Sequence, residues 1–268
     1  MLVDILLGVA WPAGIVATVL IAGAAHELYV MAGTGGAPFT ILGVAATVVA
    51  FNLPWVAAWQ QWPQAYDALL AAVAFLAFVG LGRRFRSTKP NALTGIAITV
   101  FGVLYVGILG GYIVQIHGLK SGAILVLYFV AVSKTADIGG YLSGKLLGKH
   151  KLAPAISPNK TIEGSAGGML LSLAAAFLLA GLLPWEFSLP WTLIFAVLVN
   201  VTSQFGDLAE SMVKRGCGVK DSAVILPKVC GALDLVDSIL ISAPVAFYLM
   251  KIAEKMLPLK EAAEKVGI

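Results

Sequence analysis

One segment, residues 93–113, reads LTGIAITVFGVLYVGILGGYI and carries no charged side chain. A helix of about 20 apolar residues crosses the roughly 30 Å hydrocarbon core of a lipid bilayer. Apolar helices in the cores of soluble proteins are usually shorter. The segment therefore predicts a membrane-spanning helix, and with it an integral membrane protein.

Seven further apolar segments lie on either side of this one, separated by Pro, Gly and clusters of charge. Together they give eight predicted helices, at residues 2–25, 38–59, 67–81, 93–113, 122–132, 164–183, 191–205 and 233–250. The third and fifth are short for a span, so the count carries an error of about one helix. The predicted fold class is all-α, a polytopic membrane protein with about eight transmembrane helices.

The composition agrees with this fold class. Of 268 residues, 59% are hydrophobic and 12% are charged, whereas a soluble domain is about 25% charged. An ordinary soluble domain, a disordered chain and a coiled coil are thereby excluded, and no nucleic-acid partner is implied. We divide the chain into amino-terminal transmembrane helices (1–120), a catalytic transmembrane region with cytoplasmic loops (121–250) and a short mixed-charge tail (251–268).

Lys and Arg concentrate in three segments between the predicted helices, at residues 83–89, 145–160 and 214–228. Each segment follows an odd-numbered helix, so all three lie on the same side of the membrane. Basic loops mark the cytoplasmic side. We therefore expect an inner membrane, or its equivalent, with these loops in the cytoplasm.

Seven acidic residues lie at or between the cytoplasmic ends of predicted helices five to eight. They are Asp137, Glu163, Asp207, Glu210, Asp221, Asp234 and Asp237. An ionisable group in a membrane helix costs about 2.5–3.5 kcal/mol and is by default a functional hypothesis. On the seventh helix the polar residues from Asn200 to Lys214 recur at helical spacing, so they share one face, which cannot face lipid.

Several carboxylates without a nearby histidine or thiol suit a hard cation held by oxygen ligands, typically Mg²⁺. The segment SPNKTIEG, residues 157–164, adds an anion-binding feature, because a helix start with Lys160 beside it offers N–H groups and a positive charge. A plain helix cap with a charged loop explains the same local sequence. Gly164, Gly167 and Gly168 are expected to serve close helix packing.

Motifs in this region resemble the signature of the phosphatidate cytidylyltransferase family, also called CDP-diacylglycerol synthases. They are SMVKR at 211–215, GVKDS at 218–222, LP at 226–227, GALD at 231–234 and DS at 237–238. The segment 157–164, and Asp137 with Tyr141 and Gly144, resemble two earlier stretches of the family. The resemblance covers about residues 128–250.

The chain departs from the family pattern at two places. The pattern usually has Gly-His-Gly-Gly after the proline and Asp-Arg before the last Asp, where this chain has Lys228-Val229-Cys230-Gly231 and Asp234-Leu235. Either the activity or substrate choice differs, or only the loop has changed. The retained aspartates favour the second alternative.

The resemblance implies a nucleotidyltransferase that moves the cytidylyl group of CTP to phosphatidic acid, giving CDP-diacylglycerol and pyrophosphate in phospholipid biosynthesis. It also implies Mg²⁺, with the identity of a second cation left open, contact with membrane lipids, and a homodimer. The predicted site residues are Lys214, Arg215, Lys220 and Asp221 for catalysis, Ser157, Asn159, Lys160, Asp137 and Ser211 for substrate binding, and Asp207, Asp234 and Asp237 for the metal.

Two other functions agree with parts of the pattern. Another CTP-using membrane lipid enzyme, such as a CDP-archaeol synthase or a polyprenol kinase, would share the metal-binding and basic rim. An ion-coupled transporter would place its carboxylates near the bilayer midplane, whereas here they cluster at one rim beside cationic residues.

Overall fold

The structure is a computed structural model and describes residues 10–33, 40–60, 92–185, 188–220 and 231–256. In these ranges the helices are α1 (Ala10–Ala32), α2 (Thr40–Gln60), α3 (Ala92–Gly102), α4 (Leu109–His117), α5 (Gly122–Leu147), α6 (Ile162–Leu179), α7 (Leu189–Gly216) and α8 (Ala232–Met256). A π-helical segment, Val103–Ile108, joins α3 to α4, and a 3₁₀ turn, Ala180–Leu182, extends α6. Strands β1 (Lys151–Ala153) and β2 (Ser157–Thr161) form an antiparallel hairpin between α5 and α6.

The predicted polytopic helical membrane protein is confirmed. Six helices of the described residues are long and apolar enough to span a membrane, and Thr40–Trp55 is a shorter apolar helix. Seven of the eight predicted segments coincide with helices. The third, 67–81, lies outside the described residues, so the count of eight stays a prediction.

The fifth apolar segment, residues 122–132, is the first part of α5, which continues to Leu147. Hydropathy falls after Val132, yet the polar side chains that follow have partners. Ser133 Oγ lies 2.8 Å from Ser203 Oγ, and Lys134 Nζ donates to Ser238 Oγ at 2.8 Å. These bonds satisfy polar groups that would be costly in lipid, so the helix need not end.

The chain divides into two compact units. The first unit comprises Met1–Val114 and Val213–Val236, and the second comprises Gln115–Met212 and Asp237–Ile268. The unit boundaries thus fall inside α7 and α8. The division into 1–120, 121–250 and 251–268 is a functional one and stays a prediction.

In the first unit, the packing of α1 against α2 and α3 centres on Tyr29, whose side chain is buried. Its ring fills the space left by two glycines, since a Cβ at Gly43 or Gly102 would lie 2.6 or 2.5 Å from ring carbons. The Tyr29 hydroxyl donates to the carbonyl oxygen of Thr99 at 3.0 Å and lies 3.2 Å from the Thr47 hydroxyl. The one polar atom of the ring is therefore satisfied in the core.

In the second unit, α5 and α6 pack backbone against backbone through glycines. A Cβ at Gly139 would lie 2.8 Å from the carbonyl oxygen of Gly167, and one at Gly168 would lie 2.7 Å from that of Ala136. A Cβ at Gly164 would lie 2.8 Å from the carbonyl oxygen of Gly140. This confirms that Gly164, Gly167 and Gly168 serve close helix packing, as small residues do in membrane helix pairs.

Candidate active site

A cleft of about 510 Å³ opens in the second unit among α5, the hairpin, the start of α6 and α7. Five of the predicted site residues line it: Asp137, Ser157, Asn159, Lys160 and Asp207. Tyr141 and Lys145 of α5, with the Lys145 ammonium 5.7 Å from the centre of the Tyr141 ring, line it as well. Carboxylate, hydroxyl, amide and ammonium groups thus face one cavity large enough for a small molecule.

The hairpin fixes how the chain enters α6. Thr161 is the N-cap of α6, and its hydroxyl accepts a hydrogen bond from the Gly164 amide at 3.1 Å. Asn159, a residue type often found at helix N-caps, instead lies in β2, two residues before the cap. Glu163 accepts bonds from the backbone amides of Lys149 and His150 and lies 2.6 Å from His150 Nδ1. Both ends of the hairpin are thus tied to the helix start.

Lys160 and Asp207 form an ion pair in the cleft. Lys160 Nζ lies 2.8 Å from Asp207 Oδ2, and the two side chains are 28% and 24% exposed. Lys160 is the last residue before the Thr161 cap, and Asp207 lies on α7. A residue predicted to bind phosphate therefore contacts one predicted to bind metal.

Lys134 is a site residue that the sequence analysis missed. Its ammonium lies 3.1 Å from Asp137 Oδ2 and donates to Ser238 Oγ at 2.8 Å, while Ser238 Oγ donates to the same Asp137 oxygen at 3.1 Å. The three side chains form a closed ring that holds the Asp137 carboxylate on the cleft. The available signal was a lysine three residues before Asp137, on the same face of the same helix.

Asp237 is buried where the backbones of α7 and α8 meet. Gly206 allows the approach, because a Cβ there would lie 2.5 Å from the carbonyl oxygen of Asp237. Asp237 Oδ1 accepts a hydrogen bond of 2.5 Å from the amide of Ser238. Asp207 and Glu210 lie within electrostatic range of the Asp237 carboxylate. Three of the acidic residues picked from the sequence are therefore neighbours in the second unit.

The polar face predicted on the seventh helix is internal, as expected. Asn200, Ser203 and Glu210 are almost fully buried. Gln204 lies on the same face and donates from Nε2 to Asn200 Oδ1 at 2.6 Å, and its Oε1 accepts from Ser165 Oγ at 2.5 Å. Ser211, predicted to bind substrate, is half-buried on α7.

In the first unit, Lys214 pairs with Asp234. Lys214 Nζ lies 2.7 Å from Asp234 Oδ1, and the side chains are 15% and 23% exposed. The buried carboxylate of Glu27, on α1, accepts a hydrogen bond of 2.9 Å from the amide of Leu233, in the first turn of α8. An anion at a helix N-terminus is stabilised by the free amides and the helix dipole. Glu27 thereby anchors the turn that carries Asp234, a role not foreseen from the sequence.

The remaining predicted catalytic residues follow at and beyond the end of α7. Arg215 is exposed and its guanidinium donates to the carbonyl oxygen of Val219 at 3.4 Å. Lys220 is exposed, and Asp221 lies outside the described residues. Cys217 lies in this turn, and burial raises the pKa of its thiol, which makes it a poor nucleophile.

The cleft offers donors suited to Mg²⁺. Among the described residues no three His, Cys, Asp or Glu side chains are arranged to hold a metal ion. Mg²⁺ needs fewer, because it keeps several waters and binds through one or two carboxylates together with substrate phosphates. Asp207 and Asp137, with the amide oxygen of Gln204 nearby, supply oxygen ligands only, which fits a hard cation.

Comparison with known proteins agrees with this chemistry. The profile described as "Cytidylyltransferase family" matches residues 1–253. The chain belongs to this family. It is therefore a nucleotidyltransferase.

Curated relatives carry more specific names. A phosphatidate cytidylyltransferase of Staphylococcus saprophyticus is 35% identical over 178 residues, covering 66% of this chain and 68% of that protein. One of Bacillus subtilis is 41% identical over 150 residues, covering 55% of each. The uncharacterized protein YnbB of Escherichia coli is 35% identical over 173 residues, covering 65% of this chain and 57% of that protein. This cytidylyltransferase family member is thus similar to membrane-lipid enzymes and to a protein of unassigned activity.

Proposed function

We propose that the chain transfers the cytidylyl group of CTP to phosphatidate, giving CDP-diacylglycerol and pyrophosphate. The observation that carries the proposal is the family match over residues 1–253, together with relatives named phosphatidate cytidylyltransferase. The cleft supports it, because it combines ammonium groups for phosphates with carboxylates for a cation.

The reaction does not require a strong general base. A phosphate oxygen of phosphatidate attacks the α-phosphorus of CTP, and the bond from that phosphorus to the bridging oxygen of the β-phosphate breaks, releasing pyrophosphate. The attacking oxygen is already anionic at neutral pH, so no side chain has to remove a proton. Stabilisation must instead come from cationic groups around the transferring phosphoryl group.

The residues divide between two tasks. Lys160 and Lys214, with Arg215 and Lys220, bind phosphate oxygens of the two substrates, and Ser157 and Asn159 shape the cleft beside Lys160. Asp207, Asp234 and Asp237 remain the metal ligands proposed from the sequence. Of these, Asp207 lines the cleft with Asp137, and Mg²⁺ bound there would neutralise charge on the phosphates. Lys134 keeps the Asp137 carboxylate in place by the ring of bonds with Ser238.

We place the reaction at the cytoplasmic side of the membrane. The basic segments at 145–160 and 214–228 mark that side by the positive-inside rule, and they carry Lys160 and Lys214. CTP is a cytosolic nucleotide and the phosphatidate headgroup lies at the interface, so both substrates are available there. We further propose a homodimer, to be checked by the molar mass of the protein in detergent.

The direct test is turnover by the purified full-length chain in detergent with CTP labelled in the cytosine ring, phosphatidate and Mg²⁺. We expect label in the extracted lipid and one pyrophosphate for each labelled lipid, both abolished by EDTA and restored by excess Mg²⁺. Asp234→Asn should abolish turnover in protein that still unfolds cooperatively. Glu254→Gln, the same chemical change near the other end of α8, should leave turnover unchanged.

Two other outcomes would show which part of the proposal is wrong. Label transfer to an isoprenoid ether lipid but not to phosphatidate would refute the proposed acceptor. Normal turnover by Asp234→Asn would refute its assignment as a metal ligand.

A further inference from the structure

A lysine and an aspartate of the cleft, Lys160 and Asp207, form an ion pair. Lys160 Nζ and Asp207 Oδ2 are 2.8 Å apart. A carboxylate that already holds an ammonium group offers a divalent cation little net negative charge. A metal ion that binds Asp207 must therefore displace the Lys160 ammonium or share the carboxylate with it.

We propose that Lys160 is an exchangeable counter-ion. Its ammonium neutralises Asp207 while the cleft is free of substrate, and it moves to a phosphate group of CTP when a divalent cation takes its place on Asp207. This inference rests on the proposed function, since it requires a nucleoside triphosphate and a divalent cation in the same cleft. Its consequence is that metal and nucleotide bind cooperatively.

The local structure allows the ammonium to move while the backbone stays in place. The strand pairing between Lys151 and Thr161 and the bond from the Gly164 amide to Thr161 fix the chain next to Lys160. The Lys160 side chain is 28% exposed and lines the cleft. A lysine ammonium is a compact charge on a flexible four-carbon stem, so it can change partners without movement of the hairpin.

Lys134 provides the contrast within the same unit. Its ammonium has two partners, Asp137 at 3.1 Å and Ser238 at 2.8 Å, and these two are also bonded to each other. Among the described residues, Asp207 is the side-chain partner of Lys160. Moving Lys134 would break a closed ring of bonds, whereas moving Lys160 breaks one ion pair.

The cooperativity follows from linkage. When the metal binds alone, the Lys160 ammonium loses its carboxylate and gains only water. When CTP is present, the same ammonium gains a phosphate. Each ligand therefore favours the other, and the coupling is equal in the two directions. A second pair, Lys214 with Asp234 at 2.7 Å, has the same chemistry in the first unit.

The test measures Mn²⁺ binding rather than turnover. Mn²⁺ serves as the probe for the divalent cation, and free Mn²⁺ is followed by electron paramagnetic resonance with the full-length chain in detergent, with and without α,β-methylene-CTP. The unaltered chain should bind Mn²⁺ more tightly with the analogue present. Lys160→Met should bind Mn²⁺ alone about fivefold more tightly, the magnitude for breaking one partly exposed ion pair. The analogue should still tighten its Mn²⁺ binding through the phosphates that coordinate the ion, but by less than in the unaltered chain.

Two variants serve as controls. Lys151→Met removes the same charge from an exposed position of the same hairpin. Because salt screens exposed charges at long range, its affinities for Mn²⁺, with and without the analogue, should stay within about twofold of those of the unaltered chain. Lys160→Arg keeps a cation next to Asp207 and should keep the weak binding of Mn²⁺ alone.

The outcomes decide the proposal without reference to the lipid reaction. Unchanged or weaker binding of Mn²⁺ alone by Lys160→Met would overturn it, and so would equal gains in Lys151→Met. A Lys160→Met chain that fails to fold while Lys160→Arg folds would show a structural ion pair and would also overturn it. Cooperative Mn²⁺ and analogue binding that depends on Lys160, in a chain that does not turn over phosphatidate, would support the exchange and refute the proposed acceptor.

Discussion

A close backbone contact between α5 and α6 can be tested with a single methyl group. In Gly139→Ala the new Cβ would lie 2.8 Å from the Gly167 carbonyl oxygen, 2.9 Å from the Leu171 Cβ and 3.0 Å from the Gly168 Cα. All three atoms lie on or next to the backbone of α6, so none can rotate away. In Gly140→Ala, one residue further along, the nearest atom would be 3.6 Å away. The neighbouring glycine is therefore a matched control.

The magnitude follows from the separation that the methyl group forces. The helices must move apart by about half an ångström, and a gap of that size removes about a quarter of the attraction of each dispersion contact nearby. Overpacking of this kind typically costs about 1–3 kcal/mol. Both variants gain about 1 kcal/mol in helix propensity, which cancels in the comparison. We expect Gly139→Ala to be about 1–3 kcal/mol less stable than Gly140→Ala.

The assay is equilibrium unfolding in mixed micelles with increasing SDS, followed by the helical circular dichroism signal. Comparing the two variants at the same SDS concentration avoids extrapolation to the native membrane. Equal unfolding free energies would refute the argument, because they would mean that α5 and α6 do not approach each other closely at Gly139.

Two further predictions concern side chains with defined partners. Tyr29→Phe removes a hydroxyl that is hydrogen-bonded to Thr47 and Thr99 in the first unit. It should lower the unfolding free energy by about 1–2 kcal/mol. The control is Tyr248→Phe, at a residue that is 54% exposed, which should change the unfolding free energy by less than about 0.5 kcal/mol. Lys134→Met opens the bonded ring at the cleft and should lower kcat/KM for CTP by about tenfold to a hundredfold, with part of the loss recovered in Lys134→Arg; an unchanged kcat/KM would show that the ring does not position the carboxylate.

The helices were predictable because their signal is local. An apolar run long enough to cross a bilayer must satisfy its backbone internally, and a helix does so without partners. The internal face of α7 was predictable for a related reason: Asn200, Ser203 and Glu210 recur at helical spacing and are too costly to expose to lipid. The glycines of α6 were predictable because small residues are what close helix contacts require.

The features that escaped prediction depend on partners far away in sequence. Hydropathy alone shows only the first part of α5, because it cannot show that Ser133 lies beside Ser203 or that Lys134 donates to Ser238. The hairpin between α5 and α6 is short and polar, and its two strands carry no alternating apolar pattern. The N-cap of α6 is Thr161 rather than Asn159, because β2 extends to Thr161, the residue before the first turn of α6. The local sequence of β2, SPNKT, is as typical of a loop as of a strand.

Lysines in a membrane protein are often interpreted as orientation signals, yet two lysines of the second unit differ in what holds them. Lys134 is fixed by two partners that also bind each other, and Lys160 is held by one carboxylate in an open cleft. Moving a fixed cation breaks two charge-assisted hydrogen bonds at once, each worth about 1.5–3 kcal/mol, so we expect such a cation to shape the site rather than to move. A singly bonded cation can follow the charge of an incoming phosphate. We therefore expect the number of partners, rather than the charge itself, to distinguish a positioning lysine from a substrate-binding one.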